Sequence, residues 1–228
     1  MKKIFLIAIL FLLFFMKAEK AKAEKFCLIA DIHKGSGTRN LTKENITYPK
    51  YGSRYFKEAL KRAKASKVDA CIALGDNVNN GKANQAKKLA KIAKKGGVKI
   101  LWVKGNHDSA KSQKYLYTKT NYFMDFSSIR IVVLDSNFVN LAGNGGVSPE
   151  NQEFYKQAIQ TDRKVILAMH HPPFDKKTHQ WNPAYDWIGE EPEYVLSGHF
   201  HTGFREGKYW SVPALTLKKQ LRIEYIEL

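Results

Sequence analysis

Apolar runs that end in polar residues recur along most of the chain, and amphipathic segments separate them. The run FCLIADIH at residues 26–33 predicts a buried strand. The same pattern predicts further strands at residues 67–76, 98–108, 127–136, 163–173 and 194–203. Apolar residues at helical spacing predict helices at residues 53–66, 82–97 and 148–159. Residues 208–228 alternate apolar and polar positions and predict closing strands.

The predicted helices begin and end at residues that commonly cap helices. Ser53 and Ser148 are the expected N-caps of the first and third helix, and Gly96 and Gly97 end the second. Strands that alternate with helices predict parallel βαβ units in an α/β fold. A chain of 228 residues with 44% hydrophobic residues suits one globular domain, which we expect at residues 24–228.

The N-terminus has the pattern of a signal peptide. Lys2 and Lys3 precede an apolar run at residues 4–16, and Ala21 and Ala23 fit a small-residue cleavage site. An uncleaved membrane anchor is the alternative, but thirteen apolar residues fall short of the roughly 20 that span a bilayer. We therefore expect residues 1–23 to be cleaved, leaving an exported protein, periplasmic or extracellular, without a transmembrane span.

The chain is strongly basic, with a formal net charge of +17. The charge stays near +13 without the five lysines and one glutamate of the predicted signal peptide, and such a field attracts anionic partners. However, only seven of the 38 basic residues are arginine, and the lysines lie mainly on predicted helix faces. Lysines on such faces are typical of solvated surface rather than of bidentate phosphate recognition. We expect weak attraction to anionic envelope polymers and no nucleic-acid partner.

The two cysteines lie inside apolar runs, Cys27 in KFCLIAD and Cys71 in DACIALGD. Export would permit a disulfide, yet buried free thiols are the interpretation that these surroundings favour. The sequence contains no pattern of a cysteine metal knuckle.

Five predicted strands end in residue types that bind metals. These residues are Asp31 and His33, Asp76, Asn106 and His107, His170 and His171, and His199 and His201. Each alone is more often a turn former or a hydrogen-bonded side chain, but the carboxyl ends of parallel strands meet at one edge of a sheet. The two-residue period of a strand predicts that Asp31 and His33 face one cavity, as do His199 and His201. Oxygen and nitrogen ligands without thiolate suit iron, manganese or zinc, and a central aspartate could bridge two ions.

In order along the chain, these motifs are D-x-H (31–33), G-D (75–76), G-N-H-D (105–108), a histidine at 170, and G-H-x-H (198–201). The series resembles the calcineurin-like metallophosphoesterase superfamily, and in particular its compact bacterial branch of phosphodiesterases and relatives of purple acid phosphatases. The resemblance covers essentially the whole chain after the predicted signal peptide. It implies a four-layer sandwich in which helices flank two mixed sheets.

The resemblance also implies a role for each residue of the motifs. One metal ion would be held by Asp31, His33 and His201, and the other by Asn106, His170 and His199. Asp76 would bridge the ions, and His107 would donate a proton to the leaving group. His170 is preferred to His171 because relatives place this ligand two residues before a proline, as His170 stands before Pro172. The residues expected around the ligands or facing the substrate are Asn79, Asp108 and His171.

Asn79 marks a departure from the family pattern. Many relatives have an aspartate three residues after the bridging one, where it orients the histidine of G-N-H-D. The amide of Asn79 can accept a hydrogen bond but cannot stabilise an imidazolium by charge. The strength of His107 as an acid is therefore open at the level of the sequence.

The reaction implied by the resemblance is hydrolysis of phosphate mono- or diesters by a hydroxide that bridges two metal ions. One alternative is a non-catalytic exported protein that binds anions. The other is a metal-dependent nuclease, although we find no aromatic platform interleaved with basic residues. The aromatic segment at residues 174–194 is either a lid, with Trp181, Tyr185 and Trp187 facing the substrate, or packing beneath a long connection.

Overall fold

The computed structural model describes residues 23–36, 44, 46–138, 145–175 and 178–228. The predicted signal peptide lies outside the described residues, except for Ala23. Within these ranges we find no helix that combines the length and the apolar character needed to cross a membrane.

One sheet has four strands, which are β1 (Lys25–Ile29), β2 (Ala70–Leu74), β3 (Ile100–Val103) and β10 (Glu224–Glu227). Their order across the sheet is β10-β1-β2-β3. Strands β1, β2 and β3 are parallel, and β10 pairs antiparallel with β1. The crossovers from β1 to β2 and from β2 to β3 contain helices α1 (Gly52–Ala65) and α2 (Ala83–Gly96). This half of the molecule therefore has the βαβ connections that the sequence predicts.

The second sheet has six strands among the described residues. They are β4 (Tyr122–Asp125), β5 (Ile129–Val133), β6 (Lys164–Ala168), β7 (Pro192–Ser197), β8 (Phe204–Glu206) and β9 (Tyr209–Ser211). The order is β4-β5-β6-β7-β9-β8, with a parallel centre and antiparallel edge strands. The other α-helices in the described residues are α3 (Ala110–Gln113) and α4 (Pro149–Ala158), and 3₁₀ helices cover Pro49–Tyr51, Pro183–Ile188 and Leu217–Lys219.

Three layers of apolar side chains lie between the four layers of secondary structure. Along β1, Phe26 and Leu28 pack between the two sheets, whereas Cys27 and Ile29 face the other way, onto α1 and α2. A third cluster joins the outer face of the second sheet to α4, through residues such as Tyr155. Both faces of these strands are covered, which is why their sequences are almost continuously apolar.

The cysteines and the helix ends test four local predictions. Cys27 and Cys71 are neighbours in the β1–β2 ladder, and both are buried and unbridged as expected. The Ser148 hydroxyl accepts a hydrogen bond from the Asn151 amide at 3.2 Å, so this N-cap is confirmed. Helix α2 ends at Gly96, and its C-cap Gly97 is left-handed with φ 66°, as glycine permits.

The prediction of Ser53 as an N-cap is wrong, because α1 starts at Gly52 directly after a 3₁₀ turn. A β-carbon on Gly52 would lie 2.6 Å from the Ile32 carbonyl oxygen. The helix therefore begins at a glycine, because a side chain at this position would clash with the backbone just after β1. The short strands β4 and β8 were not predicted either, since four and three residues are too few to show a period.

Candidate metal centre

The residues predicted to bind metals follow the carboxyl ends of β1, β2, β3, β6 and β7. Five of them have positive φ, with values of 49° and 44° at Asp31 and His33, 47° at Asp76, and 67° and 66° at His199 and His201. Residues with a side chain seldom adopt this left-handed conformation, and they concentrate at functional sites when they do. Convergence at one edge is thus confirmed, but strand alternation is the wrong reason for it. Left-handed turns beyond the strands aim these side chains.

The first group consists of Asp31, His33, Asp76 and His201, all buried. The Nε2 atoms of His33 and His201 are 3.1 Å apart, and Oδ1 of Asp31 lies 3.4 Å from the latter and 3.8 Å from the former. Asp31 Oδ1 is buried without a hydrogen-bond partner, which is costly for a carboxylate oxygen. Two imidazole nitrogens and a carboxylate oxygen that face one point are a donor set that fits a divalent cation.

The second group consists of His170, His171 and His199. Nε2 of His170 lies 3.0 Å from Oδ1 of Asn106, while its Nδ1 is 2.9 Å from the Leu74 carbonyl oxygen. Donation from Nδ1 to that carbonyl would fix the ring and leave Nε2 as the metal-facing nitrogen. The H-x-H pair is thus divided, with His199 in this group and His201 in the first.

Asp76 belongs to the first group and also faces the second. Its Oδ2 is 3.7 Å from Nε2 of His33, and its Oδ1 is 3.5 Å from Nε2 of His170. Burial opposes ionisation of Asp76, but the charge of His170 and the hydrogen bond with it, together with His33, hold its pKa well below the ordinary value. A single buried carboxylate therefore faces both candidate metal positions in its ionised form.

The histidines on either side of Asp76 differ in protonation. Burial lowers the pKa of His33 to about 3, so this imidazole is neutral at neutral pH and can act as a ligand. Burial also acts to lower the pKa of His170, but the charge of Asp76 outweighs it and raises that pKa to about 9. A proton on His170 thus balances the buried carboxylate, and a cation at this position would take its place.

His171 is a member of the second group, whereas the sequence predicts it only around the ligands or facing the substrate. Its ring centroid is 4.5 Å from that of His199, and its Nδ1 is 3.0 Å from the Ser136 hydroxyl. The same hydroxyl accepts hydrogen bonds from the backbone amides of His170 and His171. Ser136 therefore positions this pair of histidines. Its role could not be predicted from the sequence, because an isolated serine after β5 carries no recognisable pattern.

Asp108 shapes the G-N-H-D turn. Its carboxylate accepts hydrogen bonds from the backbone amides of Asn77, Val78 and Gly105 and from the Asn77 side chain, at 2.8 to 3.2 Å. Burial and the charge of Asp76 raise its pKa to about 6. A β-carbon on Gly105 would lie 2.0 Å from the Asp76 backbone nitrogen, so the turn can approach Asp76 only with glycine there. Asp108 thus links the loop after β2 to the loop after β3, which is the supporting role expected of it.

His107 lies beside Asp76 at the edge of the centre. Its backbone amide donates to Oδ1 of Asp76 at 2.8 Å, and its Nε2 is 3.9 Å from Oδ2 of the same carboxylate. Its Nδ1 is 2.7 Å from the backbone carbonyl oxygen of Asn79. This contact corrects the expectation for Asn79, because the main chain and not the amide side chain accepts it. The contact does not depend on which side chain occupies position 79.

The three candidate aromatic residues in the segment at residues 174–194 pack against other parts of the protein. Tyr185 is fully buried, and Trp187 lies edge-on to Tyr155 of α4 with ring centroids 5.3 Å apart. Trp181 packs against Phe174 and Tyr209, with centroid distances of 5.5 and 5.1 Å. These contacts favour packing over a lid for all three candidate residues. Residues 176 and 177 of this segment lie outside the described residues.

A family model for calcineurin-like phosphoesterases matches residues 24–203. The chain belongs to this family. The resemblance inferred from the motifs is therefore confirmed. The two mixed sheets between helices are the four-layer fold expected of the family.

Two curated relatives and one solved structure show how far the similarity extends. A probable glycerophosphodiester phosphodiesterase from Arcobacter nitrofigilis is 30% identical over 118 residues, which cover 47% of this chain and 43% of the relative. A probable cyclic nucleotide phosphodiesterase from Ruthia magnifica is 26% identical over 147 residues, or 59% of this chain and 62% of the relative. The matched segments thus span less than two thirds of either relative. A dimetal phosphatase from Danio rerio has a TM-score of 0.68 at 14% identity, over 90% of this chain and 92% of that one, which shows a shared fold.

Proposed function

We propose that this protein is a metal-dependent hydrolase of phosphate esters that uses two metal ions. The position of Asp76 carries the proposal. One oxygen of this buried carboxylate faces His33 in the first group and the other faces His170 in the second. A carboxylate with its two oxygens directed at separate donor sets is suited to bridge a pair of cations.

The proposed ligand sets follow the two groups, except that the family motifs imply Asn106 in place of His171 in the second. Asp31, His33 and His201 would hold one ion, Asn106, His170 and His199 the other, and Asp76 both. This donor set of oxygen and nitrogen suits manganese, iron or zinc. When bound, the ions would lower the pKa of a water molecule and offset the negative charge that develops on the phosphoryl group.

His107 would supply the proton for the leaving oxygen. Its Nδ1 faces the Asn79 carbonyl at 2.7 Å, so that carbonyl can accept the Nδ1 proton and orient the ring. Nε2 then lies 3.9 Å from Oδ2 of Asp76, and we place the leaving oxygen of a bound ester beside it. A main-chain carbonyl accepts from both the neutral and the protonated imidazole, so His107 can pass through both forms.

Phosphodiesters are the substrate class that we favour. Both curated relatives described above are named as phosphodiesterases, one for glycerophosphodiesters and one for cyclic nucleotides. A comparison of bis(p-nitrophenyl) phosphate with p-nitrophenyl phosphate tests this choice directly. We expect the diester to have the higher kcat/KM, and a higher value for the monoester would overturn the substrate assignment.

Metal removal tests the proposed reaction. Dialysis of the protein against a chelator is expected to abolish diester hydrolysis, and Mn²⁺, Zn²⁺ or Fe²⁺ should restore it as the content approaches two ions per chain. Elemental analysis and the hydrolysis rate are measured on the same samples. Hydrolysis that persists in protein shown to be free of metal would contradict the proposal. Two bound ions without any hydrolysis would favour the non-catalytic alternative.

The proposal includes export, which the pattern of residues 1–23 supports. Expression of the full chain in a bacterial host should yield mature protein outside the cytoplasm. N-terminal sequencing of that protein is expected to begin at Glu24. Full-length protein confined to the cytoplasm would contradict export but leave the proposed chemistry intact.

A further inference from the structure

Helices α1 and α2 enclose a groove of about 1050 Å³ on the outer face of the first sheet. Its floor includes the apolar residues Leu60, Ile92 and Leu221. Its cationic lining residues are Arg54, Lys57, Lys61, Arg62, Lys64, Lys88, Lys91 and Lys95. We refer to these residues and the space between them as the basic groove.

The lysines of the basic groove form two rows. On α1, Lys57, Lys61 and Lys64 follow one another at intervals of four and three residues, and on α2 Lys88, Lys91 and Lys95 do so at three and four. Residues at these intervals lie on one face of a helix, about 5 Å apart along its axis. All six side chains are exposed. The groove thus has a row of positive charges along each wall.

Little negative charge opposes these rows. Glu58 is the one acidic residue among the described residues that line the groove, and its carboxylate is 3.2 Å from Arg62. Helix α2 contains five lysines and no acidic residue. Mutual repulsion among so many cations disfavours the folded state, and an anionic partner in the groove would relieve it.

We propose that the basic groove binds an extended polyanion made of successive phosphate groups without bases. Two parallel rows of point charges at regular intervals match a linear chain of negative charges between them. Lysine ammonium groups attract phosphate without the fixed geometry that arginine imposes, so the binding depends on charge density and not on sequence. In the sequence, each lysine-bearing helix face is typical of solvated surface. The fold, however, places the lysine-bearing faces of α1 and α2 side by side.

Other polyanions fit the groove less well. Helices that bind membranes carry large apolar side chains beside their lysines, but the large exposed apolar residues among the described residues, Phe123 and Phe138, lie outside the groove. Single-stranded nucleic acid is usually held by stacking on aromatic rings. Tyr55 is the aromatic residue of the groove, and its ring already stacks on Tyr51, with centroids 5.7 Å apart.

One end of the basic groove lies towards the metal centre. Helix α1, which carries Arg54, starts against the backbone of Ile32 and Lys34, next to His33. A bound polymer would therefore have one end on the side of the molecule that carries the proposed active site. Binding itself does not depend on the proposed hydrolysis.

Fluorescence anisotropy with end-labelled inorganic polyphosphate tests the proposal over a range of salt concentrations. The variant Lys88→Gln/Lys91→Gln/Lys95→Gln removes one row of the groove. Its affinity should fall at least about tenfold, and the slope of log K against log salt should decrease by roughly 2, since each lost phosphate contact removes about 0.7. The control Lys94→Gln/Lys111→Gln/Lys156→Gln removes the same charge from exposed sites outside the groove and should change the affinity less than about twofold.

Both variants change exposed side chains, and equal thermal unfolding midpoints would show that both are folded. Equal loss of polyphosphate binding in the two variants would overturn the proposal in favour of diffuse charge. Absence of polyphosphate binding by the wild-type protein at low salt would overturn it altogether. Tighter binding of an oligothymidylate with the same number of phosphates would reassign the groove to single-stranded nucleic acid. Cosedimentation with phosphatidylglycerol vesicles that polyphosphate does not reverse would reassign it to membranes.

Discussion

Asp76→Asn is expected to lower kcat/KM for bis(p-nitrophenyl) phosphate on the order of 10³-fold, or about 4 kcal/mol of transition-state stabilisation. Oδ1 of Asp76 accepts the His107 backbone amide at 2.8 Å, so an asparagine oxygen would keep this place. The new NH₂ group would then face His33, where Oδ2 now lies 3.7 Å away. A donor that replaces a ligand oxygen should empty the first group, so elemental analysis should find one ion per chain or fewer.

Asp162→Asn is the matched control for this prediction. Asp162 is an exposed aspartate whose side chain is 94% accessible, and the same change there should alter neither metal content nor rate. An Asp76→Asn protein that retains two ions and wild-type activity would show that Asp76 is not the bridging ligand. Loss of activity with both ions retained would place the role of Asp76 in the reaction and not in metal binding.

His107→Ala should reduce turnover by about 10² to 10⁴-fold on a diester with an alkyl leaving group while two metal ions remain bound. We expect this loss because an alkoxide leaving group needs a proton as the ester bond breaks, and His107 is the proposed donor. A nitrophenolate is far more stable as an anion, so the loss on bis(p-nitrophenyl) phosphate should be smaller. The ratio of the two losses, measured as kcat on both substrates, distinguishes proton donation from general damage to the site.

His179→Ala is a suitable control for the histidine change. His179 is exposed and stacks on Phe200, with ring centroids 5.6 Å apart, and we assign it no part in the reaction. Its replacement should leave both rates within about twofold of wild type, as is usual for a surface substitution. If His107→Ala slowed both substrates equally, His107 would not be the proton donor. Loss of metal from the His107→Ala protein would indicate that His107 is itself a metal ligand.

The sequence predicted much of the fold and the composition of the candidate site. Both follow from patterns that short segments carry by themselves: apolar runs for the strands, helical spacing for α1, α2 and α4, and metal-ligand residue types at the strand ends. The family motifs also identified Asp76 as the central carboxylate before any geometry was known.

Contacts between distant segments were not predictable in this way. Ser136 supports His170 and His171 from another strand, and the Asn79 carbonyl reaches His107 through the main chain, which carries no residue-type signal. The left-handed conformation of His199 and His201 could not be predicted from the sequence either, since glycine and asparagine are the residues that usually adopt it. The basic groove was missed because it arises only when two lysine-bearing helices become neighbours.

The left-handed backbone of the candidate metal centre also limits how this protein can be improved. At Asp31, His33, Asp76, His199 and His201 the chain adopts a conformation that costs non-glycine residues of order 1 kcal/mol each. Glycine would relax the main chain at every one of them, yet it would remove the side chains of proposed ligands. A redesign that selects for thermostability alone would therefore favour replacements that stabilise the protein but abolish the proposed activity. These five positions should be kept unchanged in such a redesign.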